Sequence, residues 1–232
     1  MTLGLDRASF NQGKNAQYNF SIYEEEQPTL TAKGPGAVCS RMSGALDEYI
    51  VRRLTPEECE LLQGYPIGYT MIGDWIDSKG KKHKGDADSP RYKALGNSIA
   101  TGRNSYWKFI LKRIIAQYDY DPTMASLFDG IGGFPLLWEQ LSGEGNTLWA
   151  SEIEEFPIAV TKKHYPLMKH LGDITKINGA EAPVVDCIIG GSPCQDLSVA
   201  GKRAGLDGAR SGLFMEQIRI IKEMSGPRHY KT

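Results

Sequence analysis

The chain has 232 residues, with 27 Lys or Arg against 28 Asp or Glu and a formal net charge of -1. That balance excludes a globally basic polyanion binder and leaves any attraction to phosphate to local clusters. Hydrophobic residues at 41% and charged residues at 24% suit a soluble α/β domain, or a domain with an appended lobe. No apolar run is long enough to span a bilayer, and the start does not resemble a secretory signal.

Residues 1–50 are polar and glycine-containing and read as partly strand. Residues 52–66, RRLTPEECELLQGYP, carry a helix start, with Thr55 as N-cap, Pro56 as first helical residue and Glu58 as capping-box partner. Lys79, Lys81, Lys82 and Lys84, in SKGKKHKGD, are a candidate cluster for phosphate; they read as a flexible solvated loop, because charge runs usually face water, with a grazing contact to a nucleic-acid backbone as the alternative. In residues 91–110, RYKALGNSIATGRNSYWKFI, the Gly-Asn-Ser triplet is expected to open an apolar-periodic helix, with Asn97 and Ser98 at its cap. AQYDYDPT, residues 116–123, follows as a short tether.

MASLFDGIGGFPLLWEQL, residues 124–141, reads as a strand (124–128), a glycine-rich turn and an amphipathic helix bearing Phe134, Leu137, Trp138 and Leu141. Gly130, Gly132 and Gly133 let the backbone turn tightly and approach a bound molecule, since no Cβ obstructs it or forbids positive φ. Such a turn serves equally as a packing corner. The next strand, 147–151, leads into Glu152, about 20 residues beyond the glycines, where a nucleotide-type cofactor needs an acid for its ribose diol. Asp173, in HLGDIT, lies near the end of a third short element, placed to accept from an adenine amine. Either acid alone is also an ordinary surface residue.

Val184 to Ile189 has the length and β-branching of a buried strand, stopped by Gly190, Gly191 and Pro193. Cys194 then stands at a strand's carboxyl end, the edge at which open α/β sheets bind ligands. Its neighbours Gln195, Asp196 and Ser198 are not those of a core thiol. A nucleophile and an inert turn cysteine are the two readings. Cys187 reads as a small buried hydrophobe and Cys59 lies on the capped helix. With Cys39 and Cys194 these form no Cys-x-x-Cys pair and no zinc-type Cys/His pairing, so neither metal nor disulfide is expected, and a reducing cytoplasm follows. His164 and His170 read as surface residues.

Together, SLFDGIGGF, SEI, GDIT, GGSPCQDLSVAGKR and RSGLF resemble the DNA cytosine-5 methyltransferases, and RRLTPEECELLQGYP and the Gly-Asn-Ser segment resemble further parts of that family. The resemblance implies S-adenosylmethionine as cofactor and double-stranded DNA as partner, in a bacterial or phage-infected cell. It implies that the Cys194 thiolate adds to carbon 6 of a flipped-out cytosine, so that carbon 5 takes the methyl group. Carried over residue by residue, Phe128, Gly130, Ile131 and Gly133 would line the methionine end of the cofactor and Glu152 would hold the ribose hydroxyls. Ile153 would pack on the adenine, Asp173 would bind its amine, and Ile174, Leu213, Asn97 and Ser98 would complete the pocket. Pro193 would shape the loop bearing Cys194. Ser198, Lys202, Arg203 and Arg210 would contact DNA from a glycine-containing loop able to close over the base.

The implied fold is a twisted, mostly parallel Rossmann-like methyltransferase sheet with helices on both faces, plus a small N-terminal remnant of the target-recognition lobe. Residues 1–50 are the expected remnant, 51–115 the Leu-Thr-Pro and Gly-Asn-Ser helical segments, 116–123 the linker and 124–232 the cofactor-binding and catalytic segment. In the common family order those helical segments follow the glycine turn, so the chain resembles a circular permutation. The family's Glu-Asn-Val and Gln-x-Arg-x-Arg segments do not occur. A split enzyme completed by a second polypeptide, or a partial gene product, is the corresponding expectation. The alternatives are an inactive cofactor-binding subunit and a non-catalytic nucleotide-binding α/β domain.

Overall fold

The computed structural model describes residues 3–5, 22–24, 37–41, 49–85, 87–192 and 211–225. The chain forms two compact units, residues 1–102 and 103–232.

In the first unit β1 (Leu3–Leu5), β2 (Ile22–Glu24), β3 (Ala37–Arg41) and β4 (Tyr49–Arg53) make an antiparallel sheet in the order β2-β1-β3-β4. Helix α1 (Pro56–Gln63) begins as its sequence expects: Thr55 Oγ1 accepts from Glu58 N at 3.2 Å, and Glu58 Oε2 accepts from Thr55 N at 2.8 Å. The helix ends at Gly64, whose φ of 85° and close approach to the Gly102 backbone both need glycine. A two-stranded hairpin, β5 (Trp75–Ile76) and β6 (Lys82–His83), follows where a flexible loop was expected. Helix α2 (Asp88–Gly96) packs on α1 through Arg91, which donates to Thr70 Oγ1 at 2.8 Å, Glu57 at 2.7 Å and the fully buried Glu60 at 3.3 Å. Glu60 also accepts from Gly68 N and Thr70 N, so the buried charge is fully surrounded by donors.

Gly96 closes a helix where the Gly-Asn-Ser triplet was expected to open one. Asn97 is the C-cap of α2, its N–H donating to Lys93 O at 3.1 Å, and the Ser98 hydroxyl bonds to the Tyr65 hydroxyl. Thr101 N then donates to Gln63 O at 2.6 Å, which holds the chain out of helix until Ser105 caps α3 (Tyr106–Ile115) by accepting from Lys108 N.

In the second unit β7 (Met124–Leu127), β8 (Thr147–Ser151), β9 (Lys169–His170) and β10 (Cys187–Gly190) form a fully parallel sheet in the order β10-β7-β8-β9. The chain starts in the interior at β7, steps outward to β9, then crosses to the far side of β7. That reversal makes the β7/β10 boundary a topological switch point, where such sheets open a crevice at their carboxyl ends. Helices cover both faces: Ala125, Leu127 and Trp149 pack with Ile220 and Met224 of α6 (Ser211–Met224), while Ala150 packs with Tyr165, Met168 and Leu136. Leu136 lies on α4 (Gly133–Ser142), and α5 (Glu155–His164) leads into Tyr165. Burial on both sides explains why all four residues of β7 are apolar or small.

The last strand starts at Cys187 rather than Val184. Asp186 is held outside the ladder, its carboxylate accepting from Thr123 N at 2.8 Å, Thr123 Oγ1 at 2.9 Å and the Tyr120 hydroxyl at 2.9 Å, and Val184 is 53% exposed. The division of the chain falls between Gly102 and Arg103, so α3 sits with the sheet. It packs on α4 through the Trp107–Phe134 edge contact, with centroids 5.0 Å apart, and through Lys108 Nζ to Gln140 at 2.9 Å.

Trp138 on α4 is fully buried and its Nε1 donates to Pro122 O at 2.9 Å. Trp138→Ala is expected to cost about 3–5 kcal/mol, with the cavity and an orphaned carbonyl adding to the transfer term, whereas Thr55→Ala should cost about 1 kcal/mol. Urea unfolding of the two variants measures both.

Candidate functional site

The turn after β7 is built on three left-handed residues, Phe128 (φ 53°), Gly130 (φ 57°) and Gly132 (φ 79°). Phe128 is the exception, because its Cβ makes that conformation cost ~1–2 kcal/mol. The turn is held from β8: Glu152 Oε2 accepts from Gly130 N at 2.8 Å, while Oε1 accepts from Ile153 N at 2.7 Å and Glu154 N at 2.8 Å. Asp129 N also donates to Ser151 O at 3.0 Å. One carboxylate thus ties the loops after two neighbouring strands.

The space at this edge is left open by glycine. Among the described residues, a Cβ placed on Gly130 or on Gly191 would meet nothing within 4 Å, and the two lie beyond the register pair Leu127↔Gly190. Gly190 itself needs its missing side chain for packing, since a Cβ there would sit 2.8 Å from Leu127 Cβ and against Gln217. Among the described residues, the carboxyl edge of the β7/β10 pair is therefore close-packed at Gly190 and open at Gly130 and Gly191.

Two buried polar atoms at this end have no partner among the described residues: Asp129 Oδ2 and Gln217 Nε2. Asp129 is 6% exposed and its Oδ1 bonds to Ser126 Oγ at 2.5 Å. Burial pushes its carboxyl up to about 8, the Ser126 hydrogen bond opposes this, and the Glu152 charge adds to it. Sequence reasoning misses Asp129. Its signal is an acid set between an apolar strand and a glycine, three residues after a strand serine that can bond it.

The other expected site residues are distributed as follows. Ile153 presents an apolar side chain at the end of β8, 70% exposed. Asp173 caps a 3-10 turn, Ile174–Lys176, its Oδ1 accepting from Thr175 N and Oγ1, and these bonds hold its carboxyl below the usual range. Ile131 is fully buried, Gly133 opens α4, Ile174 belongs to the core beneath β7 and Leu213 packs against that core. Asn97 and Ser98 belong to the first unit. Pro193, Cys194, Ser198, Lys202, Arg203 and Arg210 lie outside the described residues. Cys59 and Cys187 are both held as thiols, burial pushing them up to about 12 and about 11. His170 is half-buried on β9 rather than on the surface, and burial lowers its pKa.

Carboxylates beside an exposed apolar side chain, above a glycine turn at a switch point, suit a ligand with hydroxyls and a flat ring. Residues 123–228 match the model of the C-5 cytosine-specific DNA methylases. The match takes in less than half of the chain, and over that segment the chain is similar to the C-5 cytosine-specific DNA methylases. The match begins at β7, so the family segment contains the parallel sheet and its glycine turn.

Among curated proteins, the chain is 44% identical over 100 residues to a type II methyltransferase of Lactococcus lactis subsp. cremoris, covering 43% of this chain and 25% of that protein. It is 37% identical over 109 residues to an orphan methyltransferase of Bacillus phage rho11s, covering 45% and 21%. A DNA N-6-adenine-methyltransferase of Escherichia phage P1 is 34% identical over 107 residues, covering 44% and 14%. The chain therefore spans about a quarter or less of each of these relatives. The last one carries a different target base in its name, so likeness in this segment alone does not select cytosine. Methylases of the C-5 family take their methyl group from S-adenosylmethionine.

Asp129 gives a pH signature. Its folded pKa is raised, so between about 4 and about 8 the native state holds a proton that the unfolded chain has released, and stability falls as pH rises through that window. Asp129→Asn should remove the effect: its stability advantage over the parent should grow from pH 5 to about 8 and level off above. Denaturation midpoints across that pH series measure it.

Proposed function

We propose that this chain carries the cofactor-binding and nucleophile-bearing part of a DNA cytosine-5 methyltransferase. The observation that carries the reading is the placement of the Glu152-tied glycine turn and the strand preceding Cys194 on the two sides of one switch point. The residues present fit S-adenosylmethionine. Glu152 would hold the ribose hydroxyls at the end of β8, Ile153 would offer its exposed side chain to the adenine, and Asp173 would accept from the adenine amine. Phe128, Gly130, Ile131 and Gly133 would shape the methionine end, and the Oδ2 of Asp129, without a partner among the described residues, supports a polar group nearby. Pro193, Ile174 and Leu213 would belong to the same pocket.

S-adenosylmethionine supplies the methyl group as an electrophile when bound. The chain's own contribution is the Cys194 thiolate, which forms a bond to carbon 6 of a cytosine flipped out of the duplex and so makes carbon 5 nucleophilic. The high thiol pKa of Cys59 and Cys187 supports Cys194 in that role, because protonated buried thiols are poor nucleophiles. Ser198, Lys202, Arg203 and Arg210 are assigned to DNA contact around the extruded base. The packing of α3 on α4, joined to β7 by residues 116–123, supports a permuted order in which a helix preceding the family segment completes it. A second chain supplying Glu-Asn-Val and Gln-x-Arg-x-Arg segments belongs to the same proposal.

Calorimetry of the purified chain should show saturable S-adenosylmethionine binding, weakened at least tenfold by Glu152→Ala. Absence of binding by the parent chain would overturn the reading. With cofactor and duplex DNA containing 5-fluorocytosine, a covalent protein–DNA adduct should form on denaturing gels and vanish in Cys194→Ser. An adduct that persists in that variant removes Cys194 from its role.

A further inference from the structure

Asp77 organises the β5–β6 turn. Its Oδ1 accepts from Lys79 N at 3.0 Å and Lys81 N at 2.9 Å, and its Oδ2 meets His83 Nε2 at 2.8 Å. Two backbone bonds of 3.0 Å, Asp77 N to Lys81 O and Gly80 N to Asp77 O, close the loop, with Gly80 at φ 78°. The His83 hydrogen bond, followed by the Lys81 amide, holds the Asp77 carboxyl below its usual range, so the acid stays charged and the turn stays tied. Trp75 stacks on His83 with centroids 4.3 Å apart and planes 13° from parallel. Cross-strand pairing then sets Lys82 opposite Ile76, itself 62% exposed, on the face away from that stack.

This frame carries Lys79, Lys81, Lys82 and Lys84, all exposed. None forms an ion pair among the described residues. Of the described acids on this hairpin, Asp77 is engaged by the turn and Asp74 accepts from Gly85 N at 3.4 Å. On a chain with net charge -1, four ammonium groups without an ion pair among the described residues, gathered on one hairpin, are a local concentration of positive charge. An ordered backbone lowers the entropy cost of bringing them together onto a polyanion. Lysine acts as a point charge, suited to phosphate rather than to base edges.

We propose that the β5–β6 hairpin docks on the phosphate backbone of duplex DNA, with these four lysines neutralising phosphates and reading no sequence. The proposal rests on the DNA-modifying reading above. Fluorescence anisotropy with short labelled duplexes, titrated in salt, tests it in the full chain. For a Lys79→Gln, Lys81→Gln, Lys82→Gln, Lys84→Gln variant shown to be folded by circular dichroism, the slope of log affinity against log salt should fall by about 0.9 for each phosphate no longer neutralised, or roughly 2–4 in all. Affinity should fall alike on every duplex sequence, and four Lys→Arg replacements should keep the parent slope. Asp77→Ala, which keeps the lysines and loosens the turn, should weaken binding severalfold with little change in slope. An unchanged slope in the glutamine variant, with the parent binding DNA, would overturn the hairpin's role and leave the methyltransferase reading intact. A parent chain that binds no DNA at any salt would also overturn the hairpin's role, and the separate cofactor titration then decides the methyltransferase reading by itself.

Discussion

The second unit depends on one carboxylate. Glu152 collects three backbone N–H groups, from Gly130, Ile153 and Glu154, and so joins the end of β7 to the end of β8. A strained turn with Phe128, Gly130 and Gly132 all left-handed needs such an anchor, because nothing in the intrinsic preference of phenylalanine would hold it there. Both oxygens are used in the tie, so the turn is shaped by bonds within the chain itself.

Much of the second unit was legible because its signals are local and redundant. The strand at 147–151 stands where its apolar run lies, and the strand at 124–128 is one residue shorter because Phe128 already belongs to the turn. Thr55, Pro56 and Glu58 announced a helix start, since both partners of the capping box and the N1 proline lie within four residues. The Gly-Asn-Ser triplet misled for a related reason: Asn and Ser satisfy backbone groups at either end of a helix, and the deciding bond, Thr101 N to Gln63 O, joins residues far apart in sequence.

The remaining differences are tertiary in origin. Val184 and Val185 look like strand, but Asp186 is recruited by Thr123 and Tyr120 and delays the ladder to Cys187. The hairpin at 75–83 has strands of two residues each, too short for periodicity to reveal, and its order comes from the bonds of Asp77. Asp129 reads as a polar turn residue until the packing of β7 and β8 encloses it. In the candidate site, the residue types were readable in order along the chain, whereas their juxtaposition required the strand order β10-β7-β8-β9.

The Asp186 clamp has a mechanical consequence. Thr123 and Asp186 pin the amino ends of β7 and β10 with side-chain and backbone bonds, Cys187 N also donating to Thr123 O. At the opposite end the two chains leave the sheet through Gly130 and Gly191, which offer no interlocking side chains. The ladder nevertheless runs on to the tightly packed Leu127–Gly190 pair, so the two strands are seamed from the Asp186 clamp to their last shared residues, and the clamp extends that seam one step beyond the ladder itself.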